Sequence, residues 1–295
     1  MQSKRLGLLF VPVGVILLLA AAAGALYLHF TDGWFDPADP IQIADNLYYV
    51  GSKDLASFLV TTPKGNVLIN TGLECTVSLI QANVAKLGQE FKDIKIILIS
   101  HAHIDHCAGS AAIKAITGAE YMVMDADVPV VESGGKLDFQ YGNIGLLHFH
   151  PTKVDRILHD LDEVSLGGTV LVAHLTPGHT KGCTTWTMKV QDAGTSRNVV
   201  IVGGPNVNLG YRLVNNPRYP QIATDFERTF RVLRSLPCDI FLGAHGGFFD
   251  LESKRSRPDR ESQRRAFRDH DGYVKFVAER EQALFLNLAN QETAR

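Results

Sequence analysis

With 295 residues, 45% of them hydrophobic and 20% charged, the chain has room for one large or two modest domains with a real core, and its 26 Gly and 12 Pro follow no period, which excludes collagen-like, coiled-coil and low-complexity readings. Lys and Arg number 29 against 31 Asp and Glu, and a net charge of -2 supplies no global field for gripping a nucleic-acid backbone. Four Cys, none in a CxxC pair, exclude a disulfide scaffold and a structural zinc ribbon, which leaves His, present 11 times, as the informative residue.

Lys4 and Arg5 precede an apolar run from Leu6 to about Phe30, with no acidic residue before Asp32, the pattern of an export signal. Ala21-Ala22-Ala23 and Ala23-Gly24-Ala25 offer small-x-small cleavage sites, while ~20 apolar residues also suffice to span a bilayer. Residues 1–30 therefore read as a signal peptide or an N-terminal anchor, with residues 6–30 a membrane tether if uncleaved. Either way the rest of the chain is delivered beyond the inner membrane, to the periplasm. No low-complexity linker divides it, so residues 31–295 are expected to form one domain.

Past Pro37 and Pro40 the pattern predicts short strands at Asn46–Val50, Ser57–Thr61 and Asn66–Ile69, the last two joined through Pro63-Lys64-Gly65. Val77, Ile80, Val84 and Leu87 recur at helical spacing up to Gly88, and the apolar strand Ile94–Ile99 follows. A helix over Ala108–Thr117 and a strand Tyr121–Met124 form a second unit. Further along come the strand pair Val164–Leu166 and Thr169–Leu175, the hairpin of Cys183–Val190 with Asn198–Val202, a helix carrying Phe226, Phe230 and Leu233, and the strand Asp239–Leu242. Irregular alternation with many hairpins predicts an α/β (α+β) fold of packed sheets flanked by helices, not a purely parallel doubly wound sheet.

The chemistry concentrates in His101-Ala102-His103-Ile104-Asp105-His106, between the strand ending near Ser100 and the helix starting near Ala108. Four metal-capable side chains on one short turn cannot all converge on one ion that keeps an open position, so two adjacent metals sharing the loop is the expected geometry. His179, in Thr176-Pro177-Gly178-His179, and His245, in Gly243-Ala244-His245-Gly246-Gly247, sit in glycine-flanked loops at strand ends and are the candidate further donors. His29, His148, His150, His159, His174 and His270 carry no such context and read as ordinary hydrogen-bonded residues. Cys107, opening the helix after the motif, reads as a small buried packing residue.

The pattern His101-x-His103-x-Asp105-His106 with His179 and His245 downstream resembles the metallo-β-lactamase superfamily, which implies an αββα sandwich with two mixed β-sheets flanked by helices and two zinc ions at one edge. Where lactonases, thioesterases and nucleases of that superfamily end a strand in Gly-Asp, with an aspartate bridging both metals, this chain has Gly203-Gly204-Pro205-Asn206. The stretches Glu132-Ser133-Gly134-Gly135, Pro177-Gly178-His179-Thr180-Lys181-Gly182-Cys183-Thr184-Thr185-Trp186, Gly210-Tyr211-Arg212-Leu213-Val214 and Pro237-Cys238-Asp239-Ile240-Phe241-Leu242-Gly243-Ala244-His245 resemble subclass B3.

That resemblance implies that His101, His103 and His179 bind one Zn2+ and Asp105, His106 and His245 the other. It implies opening of the β-lactam ring of penicillins, cephalosporins and carbapenems by a metal-bound hydroxide, with Asp105 also holding the water in line. Gly204, Asn206 and Tyr141 are expected to line the substrate cleft of a monomeric enzyme that binds no nucleic acid. The alternatives are a same-fold zinc hydrolase of lactones or thioesters, and a non-catalytic zinc-binding protein tethered to the membrane. Three departures stand out: Gly204 replaces a common subclass serine, so substrate carboxylates would be held by backbone donors or water. Asn70 replaces a metal-orienting aspartate. The basic stretch Lys254–Arg268, unlike the family, reads as a solvated loop and helix start.

Overall fold

The computed structural model describes residues 31–293, so the export-signal reading of residues 1–30 lies outside it. Among the described residues no helix is long and apolar enough to cross a membrane. The strands are β1 (Ile41–Ala44), β2 (Leu47–Tyr49), β3 (Phe58–Thr62), β4 (Gly65–Ile69), β5 (Ile94–Leu98), β6 (Glu120–Met124), β7 (Arg156–Leu158), β8 (Glu163–Leu166), β9 (Thr169–Leu175), β10 (Thr184–Asp192), β11 (Thr195–Val202) and β12 (Ile240–Gly243). The helices are α1 (Val77–Lys86), α2 (Ile104–Cys107), α3 (Ser110–Thr117), α4 (Val128–Glu132), α5 (Ile222–Ser235), α6 (Leu251–Arg255), α7 (Arg260–Ala266) and α8 (His270–Thr293).

Two mixed sheets result, one running β1 to β7 in chain order and the other ordered β12-β11-β10-β9-β8. In the first, β1 to β4 pair antiparallel and β4 to β7 parallel. In the second only β11 and β12 are parallel. The period of two in each strand divides the apolar residues between layers. Val67, Ile69, Ile96 and Leu98 face the second sheet, where they meet Leu171, Ala173, Trp186 and Met188. Leu68, Ile97 and Ile99 face outward onto Val77, Ile80, Val84 and Ile113 of α1 and α3. Phe226, Phe230, Phe276 and Leu284 of α5 and α8 pack against the second sheet. The expected αββα layering is therefore present.

The two sheets are sewn together where β5 ends. The buried Trp186 indole donates to Ile99 O at 3.0 Å, and Thr184 N donates to Ser100 O at 2.7 Å. These bonds fix the backbone immediately before His101. The strands β1 and β7 and the helices α4 and α8 add to the expected elements, and the helix expected over Ala108–Thr117 starts at Ser110, with the separate turn α2 ahead of it inside the histidine motif.

The solvated reading of Lys254–Arg268 holds for the exposed residues 256–261 and for the helix that starts there, and is corrected at Lys254, Arg264 and Arg268. Lys254 is buried, with Nζ 2.7 Å from Asp269 Oδ2 and 5.8 Å from the ring centroids of Phe241, Phe249 and Phe267. Arg264 and Arg268 reach the buried Asp192 at 2.8 and 2.6 Å, which locks α7 against the end of β10. Buried carboxylates need such partners, and the stretch supplies them.

Candidate metal centre

The histidine loops leave the C-terminal ends of β5, β9 and β12 and meet at one edge of the sandwich. Asn70, after β4, prepares the first of them. Its backbone is left-handed, with φ +63°, a conformation asparagine tolerates. Its Oδ1 accepts from Ser100 N at 2.7 Å while Nδ2 donates to Ala56 O at 3.2 Å. Asn70 therefore orients the backbone ahead of His101 and touches no imidazole. An aspartate there could not donate to Ala56.

His101, His103 and His179 form the first cluster, with donor atoms all within 4.8 Å of one another and ring centroids 4.6 to 4.8 Å apart. His179 Nδ1 donates to Asn206 O at 2.8 Å, which leaves Nε2 as the free acceptor, and His101 Nδ1 lies 3.0 Å from Ser100 Oγ. His103 Nε2 is 3.6 Å from Asp138 Oδ2. Burial holds His101 well below the usual imidazole range and His179 down at about 3, and the neighbouring imidazoles act in the same direction. Both are neutral donors.

The second cluster joins Asp105, His106 and His245. Asp105 Oδ2 is 3.1 Å from His106 Nε2 and 3.5 Å from His245 Nε2, and the two Nε2 atoms are 3.2 Å apart. His245 Nδ1 donates to Asp54 Oδ2 at 2.8 Å. Burial opposes ionisation of Asp105, but His106 and His245 outweigh it and hold the carboxyl well below its usual range. Burial lowers His245 as well, yet Asp105 and Asp54 reverse the balance and push it up to about 9. The clusters adjoin, since His101 also lies within 4.8 Å of Asp105 and His106.

This donor set fits two zinc ions. Four buried imidazoles, the half-buried His245 and one buried carboxylate converge in two triads of three protein donors each, the number found at catalytic zinc. Asp54 and the Asn206 carbonyl fix imidazole tautomers from behind, as outer partners of metal ligands do. Cys107 is outside both triads: its buried thiol donates to His103 O at 3.1 Å, and burial pushes its pKa well above the ordinary value. The described histidines read as ordinary have ordinary partners: Gly142 O for His148, Glu74 for His150, Asp162 for His159, Thr187 for His174 and Cys238 O for His270.

Both triads open onto one cavity of about 660 Å³, with apolar walls that include Trp34, Phe149, Leu209 and Phe248. Gly204, Asn206 and Tyr141 line it. Tyr141 also packs its ring 5.2 Å from that of His103 and accepts from Asn208 Nδ2 at 3.1 Å. The Gly204 N–H is already engaged, donating to Cys183 Sγ at 3.0 Å, so a backbone donor for a substrate carboxylate would have to be another N–H or a water. Sequence reasoning missed Asp54, Asp127, Asn208 and Trp34. Asp54 and Trp34 lie far from the motif in the chain, and that segment is brought to the metal edge by the bridge of Leu55 to His245 and by the bonds of Asp54 to His245 and Gly247. Asn208 lies two residues past Asn206 in the same loop, so the spacing was a usable signal there.

A family model for the metallo-beta-lactamase superfamily matches residues 55–245. A probable metallo-hydrolase of Burkholderia pseudomallei is 33% identical over 161 residues, and the chain spans about half the length of that curated relative, with 52% of this chain and 50% of that protein aligned. Among solved structures, the native FEZ-1 metallo-beta-lactamase from Legionella gormanii is 50% identical with TM-score 0.84, over 88% of this chain and 98% of that one. BJP-1, a subclass B3 metallo-beta-lactamase of Bradyrhizobium japonicum, is 35% identical with TM-score 0.83, over 90% and 98%. The class B3 di-zinc metallo-beta-lactamase LRA-12 from an Alaskan soil metagenome is 36% identical with TM-score 0.82, over 86% and 95%. With sandwich, triads and sequence in agreement, the chain belongs to the metallo-beta-lactamase superfamily.

Proposed function

We propose that the chain is an exported, periplasmic β-lactam hydrolase of the subclass B3 kind, with His101, His103 and His179 holding one zinc ion and Asp105, His106 and His245 a second. The observation that carries this reading is the pair of triads with Asp105 as their single carboxylate, while the end of β11 contributes only Gly203 and Gly204. An aspartate there would be expected of a lactone or thioester hydrolase. The high identity to named metallo-beta-lactamases supports the same choice.

Bound zinc would supply a water ionised near neutral pH and positive charge against the lactam carbonyl oxygen and the departing ring nitrogen. The chain's own residues do the rest. Asp105, kept ionised by two imidazoles, accepts a hydrogen bond from the attacking water and holds it in line. The apolar walls of Trp34, Phe149 and Phe248 exclude bulk water around the ring. Tyr141 and Asn208 place a hydroxyl and an amide on one wall, where they orient the substrate's polar groups.

Purified protein should be assayed with a chromogenic cephalosporin, a carbapenem and a thioester. Cephalosporin and carbapenem turnover that resists inhibitors acting on an active-site serine is the expected result, because no acyl-enzyme forms. Turnover of the thioester alone would move the protein to the other hydrolases. No turnover by zinc-loaded protein would make it a binding protein.

A further inference from the structure

Asp127 ends the single helical turn after β6, is 1% exposed, and has no ion-pair partner among the described residues. Its Oδ2 accepts from Ala102 N at 2.9 Å and from Thr180 Oγ1 at 2.8 Å, and its Oδ1 accepts from Gly182 N at 2.8 Å. Ala102 separates His101 from His103, and Thr180 follows His179. One carboxylate thus spans the two loops, rooted in different sheets, that carry all three donors of the first triad. We propose that Asp127 is a positioning residue for that triad, setting the distance between the His101–His103 loop and the His179 loop. The proposal rests on the metal reading given above.

Three features of the site support the assignment. A carboxylate only accepts, so its two oxygens satisfy three converging donors, whereas an asparagine would turn N–H toward N–H. The approach is close by construction: a Cβ on Gly182 would lie 2.5 Å from Asp127 N and 2.7 Å from Asp127 Cβ, so only glycine lets the His179 loop reach the carboxylate. Burial pushes the Asp127 carboxyl up to about 6 despite its three donors. A buried charge with no ion-pair partner is a poor way to add stability, so geometry is what it contributes here.

The test compares Asp127→Asn, Thr180→Val and Thr180→Ser with Leu284→Ala, a core truncation in helix α8, which touches neither Asp127 nor its three donors in any hydrogen bond. Zinc retained against a competing chelator is measured alongside the Tm of the zinc-free forms. Asp127→Asn should hold one of its two zinc equivalents at least tenfold more weakly, the scale on which outer partners of metal ligands act. Thr180→Val should weaken it less, and Thr180→Ser, which keeps the hydroxyl, should restore wild-type affinity. Leu284→Ala should lower Tm without changing zinc affinity. Wild-type zinc affinity in Asp127→Asn, or a loss matched by Leu284→Ala at equal Tm, would overturn the proposal. If Asp127→Asn does not fold, equal zinc affinity in Thr180→Val and Thr180→Ser would overturn it. Wild-type protein that binds no zinc would instead refute the metal reading.

Discussion

Gly204 shows how far a single missing carbon reaches. A Cβ there would lie 2.4 Å from Cδ2 and 2.7 Å from Cγ of His179, closer than real contacts allow, and the neighbouring imidazole is held in turn by Asn206 O. Gly204→Ser, the residue common in the related subclass, should therefore displace His179 instead of improving substrate binding. We expect at least a tenfold loss in kcat/KM, together with weakened binding of one zinc, read by steady-state kinetics and metal analysis. A Gly204→Ser enzyme with both zinc ions and a lower KM would show that the backbone yields. Cys107→Ala is the contrasting case, because its thiol donates to the His103 carbonyl and otherwise packs in the apolar cluster outside the first sheet. It should keep both zinc equivalents and near-normal turnover, with a stability loss of about 1 kcal/mol. Loss of a zinc equivalent would place the thiol in the second site. The clustering of the candidate donors was legible in sequence because four of them crowd into six positions. The contact of Gly204 with His179 was not, since it depends on how the ends of β9 and β11 meet in space.

Among the elements, α8 was the largest omission, and its composition explains why. Tyr273, Phe276, Val277 and Leu284 are buried, yet Val274, Phe285 and Leu286 on the same helix are more than half exposed, so no clean apolar stripe marks it. The ion pairs of the basic stretch before it leave no local signal either: nothing near Arg264 or Arg268 in sequence points to Asp192, more than 70 residues upstream. Burial opposes the ionisation of Asp192, but the guanidiniums of Arg268 and Arg264 prevail and hold its carboxyl below the usual range. A depressed folded-state pKa contributes stability that is complete above the unfolded value of ~3.9 and is lost as pH falls through the folded value. Asp192→Ala should accordingly cost about 3 kcal/mol near neutral pH. Urea unfolding at pH 7 and at pH 3 should show the gap between variant and wild type narrowing in acid. A gap that stays constant with pH would mean that packing, not charge, anchors α7.

At the scale of the whole molecule, the donors come from both sheets: His101, His103, Asp105 and His106 follow β5 of the first, while His179 and His245 follow β9 and β12 of the second. The alternating strands and helices made the layered architecture legible, and the motif fixed which strand ends must meet. The sewing bonds from Trp186 and Thr184 to the backbone of Ile99 and Ser100 were not readable, because they join side chain or backbone to carbonyls that any sequence would present. Those bonds and the apolar layer between the sheets do not depend on metal, so chelated protein should stay folded with an unchanged far-UV spectrum. On the proposed zinc reading, however, its loops would lose the common ligand between the two sheets. Ligand binding to the folded state alone adds about 2.7 kcal/mol when free ligand stands at 100 times its Kd. In a domain of this size 1 kcal/mol shifts Tm by roughly 2–4 °C, so removing zinc should lower Tm by about 5–10 °C. Turnover should vanish on dialysis against a chelator, and zinc should restore both turnover and Tm. An apoprotein that melts at the holoprotein's temperature would show that the ions do not bridge the sheets, and one that unfolds outright would show that the inter-sheet core cannot hold without them.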